Sequence, residues 1–223
     1  MNAPRTIFTN AVIFDLDGVL VDSMPSYYEA WRAAFATHNI VIDRNEVYER
    51  EGEQGMTSVI GIFENHRGYQ PSTRVAEDIL NTMHATFAAS FKPTLFPCTK
   101  ELLTGLTTKG TALGLVTGSE NPEQKFAQEH AVLDMFHAVV TGRDTNKGKP
   151  APEPYELAVQ QLGLPASRCC AVENAPLGIR SAKAAGLFCY AVRNTSPLHA
   201  ATLLQAGADI ICSSTKALMK VLV

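Results

Sequence analysis

The chain has 223 residues, of which 46% are hydrophobic and 18% charged, and a formal net charge of -3. That length suits one ordinary domain with an inserted satellite, and the acid–base balance leaves no cationic excess to hold nucleic acid. The opening MNAPRTIFTN lacks the apolar run of a secretion signal, and no later stretch nears the roughly 20 apolar residues of a membrane span, so the expectation is a soluble, cytoplasmic protein with no membrane partner, monomeric by default.

In chain order, the first predicted element is a buried strand, AVIF at residues 11–14, which ends abruptly in acidic residues and Gly18. From Ser23 to Pro93 the pattern is helical only, with Tyr27, Trp31, Ala34 and Phe35 on one face of its first helix. Breaker residues mark both edges, Met24-Pro25 on entry and Pro93 and Pro97 on return, as hinges of a lid would; Gly52 and Gly55 predict a turn between lid helices.

Beyond the insertion, apolar runs alternate with helical patterns. Strands are predicted at ALGLVT ending at Thr117, FHAVVT ending at Thr141, CCAVE ending at Glu173, LFCYAV ending at Val192 and ADIIC ending at Cys212. Helices are predicted over Glu101 to Lys109, Pro122 to His130, Pro152 to Leu162, Pro176 to Ala185 and Pro197 to Gln205, with a short one near Leu218. This alternation predicts an α/β fold, a Rossmann-like three-layer parallel sheet core over residues 1–22 and 94–223, with an all-helical cap inserted at 23–93. The five cysteines, Cys98, Cys169, Cys170, Cys189 and Cys212, have no metal-site spacing and read as reduced core residues.

Two motifs are decoys. Gly142 to Pro150 resembles a P-loop but has one spacer too many and a proline where Ser or Thr would hold magnesium. Ser213-Ser214-Thr215-Lys216 fits a Ser-x-x-Lys pattern, yet in the C-terminal tail it reads as a helix N-cap.

The informative text begins at Asp15-Leu16-Asp17. Two carboxylates one residue apart at the exit of a buried strand repel each other unless a cation or a proton shares the site, and ligands of open α/β sheets bind at the carboxyl ends of strands. Three later strand ends supply complementary groups. Thr117-Gly118-Ser119 offers hydroxyl and N–H donors to an anion, Lys149 a fixed positive charge, and Glu173-Asn174 further oxygens for a hard cation.

The segments DLDGVLVDS, VTGS, GKPAPEPY and VENAPLGIRSAKAAG resemble the four signature motifs of the haloacid dehalogenase superfamily, in the branch of β-phosphoglucomutase-like proteins and small sugar-phosphate phosphatases. The resemblance implies an Mg2+-dependent enzyme acting on a small phosphorylated metabolite. Asp15 would be the nucleophile that carries an aspartyl-phosphate, Asp17 the acid–base residue and Lys149 the neutralising cation. Asp15, Asp17 through its backbone carbonyl, Glu173 and Asn174 would hold the metal, while Thr117, Gly118, Ser119 and Tyr27 would contact substrate. Having Asp17 at all favours phosphoryl transfer over dehalogenation.

Two departures matter. Many members end the fourth motif Glu-Asp, whereas this chain has Glu173-Asn174, one negative charge fewer. The mutase's cap arginine is missing from the turn Gly52 to Ser58, with Arg50 and Arg67 as possible substitutes. A phosphatase is therefore ranked ahead of a β-phosphoglucomutase, and a non-catalytic regulatory protein comes third. The six histidines carry no metal spacing; His66 and His84 fall in the lid, where boundary positions are expected.

Overall fold

The computed structural model describes residues 9–92, 94–119 and 130–223. Six parallel strands form its sheet: β1 (Ala11–Phe14), β2 (Ala112–Val116), β3 (Ala138–Val140), β4 (Cys169–Glu173), β5 (Phe188–Val192) and β6 (Ile210–Cys212), in the spatial order β3-β2-β1-β4-β5-β6. The chain fills one side of β1 with β2 and β3 and the other with β4, β5 and β6. The order therefore reverses between β1 and β4, the kind of switch point where α/β sheets bind ligands.

Both faces of the sheet are buried, which is why β1 is an unbroken apolar run. Its alternate side chains enter separate cores. Ala11 and Ile13 pack with α7 (Glu153–Leu162), α8 (Pro176–Ala184) and α9 (Ala200–Gln205) through Tyr155, Ile179 and Leu203. Val12 and Phe14 pack with α5 (Thr99–Thr108) and α10 (Thr215–Leu222) through Leu102, Leu106 and Leu218. Helix, sheet and helix make the three layers expected.

Between β1 and α5 the elements among the described residues are helices: α1 (Met24–Ala36), α2 (Arg44–Glu49), α3 (Gly55–Arg67) and α4 (Thr73–Ser90). Pro25 sits in the first turn of α1, where its missing N–H costs nothing. Trp31, Ala34 and Phe35 are buried on the predicted face. A reciprocal capping box joins Asp43 and Glu46 at the start of α2, and the chain then turns through Gly52, whose φ of +82° requires glycine, into α3. Outgoing and returning segments run side by side: Asp22 N–H donates to Thr94 O at 2.8 Å and Phe96 N–H to Leu20 O at 3.0 Å.

Local boundaries moved in a few places. Pro197 precedes α9 by three residues instead of opening it, because buried Leu198 and extended His199 carry the chain down onto the sheet first. The helix predicted over Pro122 to His130 lies outside the described residues except at its last position, where α6 (His130–Leu133) begins; Pro93 also lies outside them. Ser214 caps α10, its hydroxyl accepting from Ala217 N–H at 3.2 Å, and Cys169, Cys170, Cys189 and Cys212 are buried free thiols. Among the described residues, no helix is long and apolar enough to cross a membrane.

Candidate active site

The register of the sheet brings the predicted residues to one edge. Phe14 pairs with Leu115 on one side and Val172 on the other, so Asp15, Thr117 and Glu173 emerge next to each other where β1, β2 and β4 end. Asp15 N–H donates to Val172 O and Thr117 N–H to Val140 O, both at 2.9 Å, which continues the ladder to the rim and fixes the backbone beneath each side chain.

Lys149 joins two of them. Its ammonium lies 2.6 Å from Asp15 Oδ1 and 2.6 Å from Glu173 Oε1, with all three side chains buried. Tyr155, from α7, donates its hydroxyl to the same Glu173 oxygen at 2.6 Å, and Asn174 N–H donates to Glu173 Oε2 at 3.1 Å. The Glu173 carboxylate fits only because position 178 is glycine: a Cβ there would come within 2.1 Å of it. A lysine so buried would ordinarily lose its proton; here Asp15, Glu173 and Glu51 outweigh burial and hold its pKa above the usual range. Asp15 moves the other way from an ordinary aspartate: burial pushes its carboxyl up to about 7 against the pull of Lys149, with Glu173 and Asp17 adding to the rise. Burial and the charges of Glu173 and Asp15 likewise raise the Tyr155 phenol, so it remains a donor.

Asp17 takes a separate position on the cavity side. Ser23 Oγ, at the entry to α1, donates a short hydrogen bond to its Oδ1, and Ser119 Oγ donates to Oδ2 at 3.4 Å. Ser119 N–H donates to Thr117 Oγ1 at 3.1 Å, so the Thr117-Gly118-Ser119 turn is organised partly by its own hydrogen bonds; the segment after it lies outside the described residues. Asn174 lies against the first loop, close enough that a Cβ on Gly18 would meet its Nδ2 at 2.1 Å.

Above this rim is a cavity of about 890 Å³ between the sheet edge and the helical segment, lined by Asp17, Tyr27, Thr117, Gly118, Ser119 and Lys149 among others. Asp15 is 1% exposed and does not line it. Tyr27 stacks on Phe87 with ring centroids 4.2 Å apart, so the candidate substrate contact also holds α1 to α4. Of the two histidines singled out in the helical segment, His84 lines the cavity, whereas His66 pairs with Glu46 at 2.8 Å. Arg50 lines the cavity but its guanidinium pairs with Glu53 at 3.0 Å, and Arg67 donates to His38 O at 2.7 Å away from the site.

The residue that sequence reasoning missed is Glu51. It follows α2, just before Gly52, and the turn carries it onto the sheet edge, where oxygens of Asp15, Glu51 and Glu173 lie within 4.8 Å of one another. Part of its surface reaches the cavity while Oε2 is fully buried, and burial together with the Asp15 charge holds its carboxyl well above the usual range. Gly52 seals this contact: a Cβ on it would meet Lys149 Cδ at 2.7 Å, and its carbonyl approaches Gly118.

A haloacid dehalogenase-like hydrolase family model matches residues 9–186, most of the chain. The chain belongs to that family. This haloacid dehalogenase-like hydrolase is similar to β-phosphoglucomutase of Bacillus subtilis (strain 168), 28% identical over 212 residues that span 92% of this chain and 89% of that one. It is also similar to hexitol phosphatase A of Escherichia coli (strain K12), 29% identical over 185 residues, 83% and 82% of the two chains. A candidate β-phosphoglucomutase from Bacteroides vulgatus has a solved structure that matches with a TM-score of 0.86 at 33% identity, covering 97% of this chain and 88% of that one. The hydrolase is thus an enzyme of the β-phosphoglucomutase-like branch, whose relatives include sugar-phosphate phosphatases and phosphomutases.

Proposed function

We propose that the protein is an Mg2+-dependent phosphomonoester hydrolase that acts on a small sugar phosphate or similar metabolite through an aspartyl-phosphate on Asp15. The observation that carries this reading is the buried Lys149 ammonium, bonded to Asp15 and Glu173 at the edge of a cavity that Asp17, Thr117 and Ser119 also border.

The donor set suits a hard divalent cation. Asp15 Oδ2 and Asn174 Oδ1 are buried acceptors with no hydrogen-bond partner among the described residues, and Glu173 and Asp17 stand beside them. Asp15, Glu173, Asn174 and the backbone carbonyl of Asp17 would hold Mg2+, which would supply two positive charges to offset those of the phosphoryl group.

The chain's own groups account for the two half-reactions. A carboxylate approaching a dianionic phosphoryl group meets a repulsion of about 4 kcal/mol per charge pair at 4 Å with an effective dielectric of 20, and Lys149 offsets part of it without moving. An Asp15 oxygen forms a bond to phosphorus as the ester P–O bond breaks, and the departing alkoxide takes its proton from Asp17. Asp17, now a carboxylate, accepts a proton from water; the hydroxide attacks the aspartyl-phosphate, releasing inorganic phosphate and restoring Asp15. Thr117 and Ser119 donate to the phosphoryl oxygens, and Tyr27 faces the leaving group from the lid.

Hydrolysis ranks ahead of a mutase because neither candidate cap cation is available for a second phosphate: Arg50 is paired with Glu53, and Arg67 is spent on backbone carbonyls. The test is a panel of sugar phosphates with Mg2+ and an Asp15→Asn control, following phosphate release. Interconversion of β-glucose 1-phosphate and glucose 6-phosphate faster than that release would make it a mutase. No turnover and no aluminium fluoride adduct at Asp15 would make it a binding protein.

A further inference from the structure

The site leaves three buried side-chain oxygens with no hydrogen-bond partner among the described residues, and they come from three separate segments: Asp15 Oδ2, Asn174 Oδ1 and Glu51 Oε2. A buried acceptor without a donor costs about 1–3 kcal/mol, so three in one place are a coordinated feature of the site and not a chance defect. Glu173, in contrast, is already supplied. Its Oε1 accepts from Lys149 and Tyr155 and its Oε2 from Asn174 N–H, so Glu173 holds Lys149 in addition to standing beside the metal position.

Charge points the same way. Ionised together, Asp15, Glu51 and Glu173 bring three negative charges to one ammonium, that of Lys149, and a divalent cation cancels the excess of two. The size is also suitable. One carboxylate oxygen each of Asp15, Glu51 and Glu173 lies within 4.8 Å of the other two, and opposite ligands of Mg2+ stand about 4.2 Å apart at about 2.1 Å per bond, so an adjustment of about half an ångström brings Glu51 and Asp15 onto one ion.

We propose that Glu51 is a metal ligand contributed by the helical segment, and that it completes a divalent-cation site with Asp15 and Asn174. The proposal rests on the reading above that a metal binds at Asp15. It explains how the site works with an amide at position 174: the carboxylate that an aspartate would place there arrives from the turn after α2. It also places the metal at the junction of the helical segment and the sheet, beside Gly52 packed on Lys149.

Mn2+ binding to the intact protein, followed by the paramagnetic signal of the free ion, tests this without reference to activity. Glu51→Gln, which preserves shape, is expected to weaken Mn2+ binding about tenfold to a hundredfold. In EDTA the same variant is expected to melt at a higher temperature than the wild type, because one of three crowded carboxylates is gone, and to gain less from added Mg2+. A residue that merely supported the turn would lower the melting temperature in both conditions. Asn174→Asp added to Glu51→Gln should restore binding; if Glu51→Gln does not fold, Glu51→Asp, which keeps the charge but withdraws it by one methylene, carries the test, is expected to weaken Mn2+ binding, and overturns the assignment if its affinity is that of the wild type. Wild-type Mn2+ affinity in Glu51→Gln, with affinity lost in Asp15→Asn, overturns the assignment of Glu51 and leaves the metal reading standing. Unchanged affinity in Asp15→Asn overturns both.

Discussion

Lys149 and Asp15, 134 positions apart in the chain, meet at 2.6 Å with their side chains 2% and 1% exposed. A pair this deep repays its desolvation only while both partners are present. Lys149→Met keeps the length of the side chain and removes the charge, leaving Asp15, Glu51 and Glu173 without a counter-ion. The metal-free protein is expected to lose about 3–5 kcal/mol of unfolding free energy, measured by urea denaturation in EDTA. A loss below about 1 kcal/mol, the worth of a surface pair, would show that the ammonium is not the counter-charge.

Tyr155→Phe removes the hydroxyl that donates to Glu173 Oε1 at 2.6 Å and changes little else in volume. The expected cost is about 1–3 kcal/mol of stability, since Glu173 is completely buried and loses one donor. Phosphate release should slow as well, as Glu173 is freer to turn away from Lys149; thermal melts and initial rates on the same preparation check both.

Gly52→Ala tests the contact between the helical segment and the sheet edge. The added methyl would lie 2.7 Å from Lys149 Cδ at a φ of +82°. Gly68→Ala is the control, at φ +77° with nothing within 4 Å. Both substitutions should cost about 1–2 kcal/mol through left-handed backbone strain. Only Gly52→Ala is expected to lower kcat/KM; equal activity in the two variants would separate the turn from catalysis.

Asp15 makes stability depend on pH in a direction opposite to that of a salt-bridged surface aspartate. Its carboxyl titrates at about 7 in the folded, metal-free protein, whereas an unfolded aspartate titrates near about 3.9. Between those values the folded state holds a proton that the unfolded state has released, so stability declines as pH rises through that window. Melting temperatures in EDTA should fall from pH 4 to pH 7, less steeply in Asp15→Asn. Added Mg2+ should raise them most at the upper end, where the carboxylate is free to bind it.

Much of this site could be read along the chain because strand endings are local events. AVIF stops at Asp15 and CCAVE stops at Glu173-Asn174, and an apolar run that ends at a carboxylate marks a sheet edge whatever lies elsewhere. The lysine before Pro150 and the Thr-Gly-Ser turn were legible on the same grounds. The proline-opened helix expected from Pro197 was misplaced because Leu198 answers to the core and not to its neighbours in sequence.

Glu51 had no such signature. Between Arg50 and Gly52 in a stretch rich in Glu, it has the look of any solvated residue, as exposed Glu49 at the end of α2 is. Only the folded chain brings it against Asp15, Lys149 and Glu173, since Coulomb interactions depend on separation in space and not along the backbone. The amino-acid order alone determined which side chains stand at the strand ends, through hydrophobic period and turn chemistry acting over a few residues. Tertiary structure decided which of them share the Lys149 ammonium, because that partnership forms only when distant segments are excluded from water together.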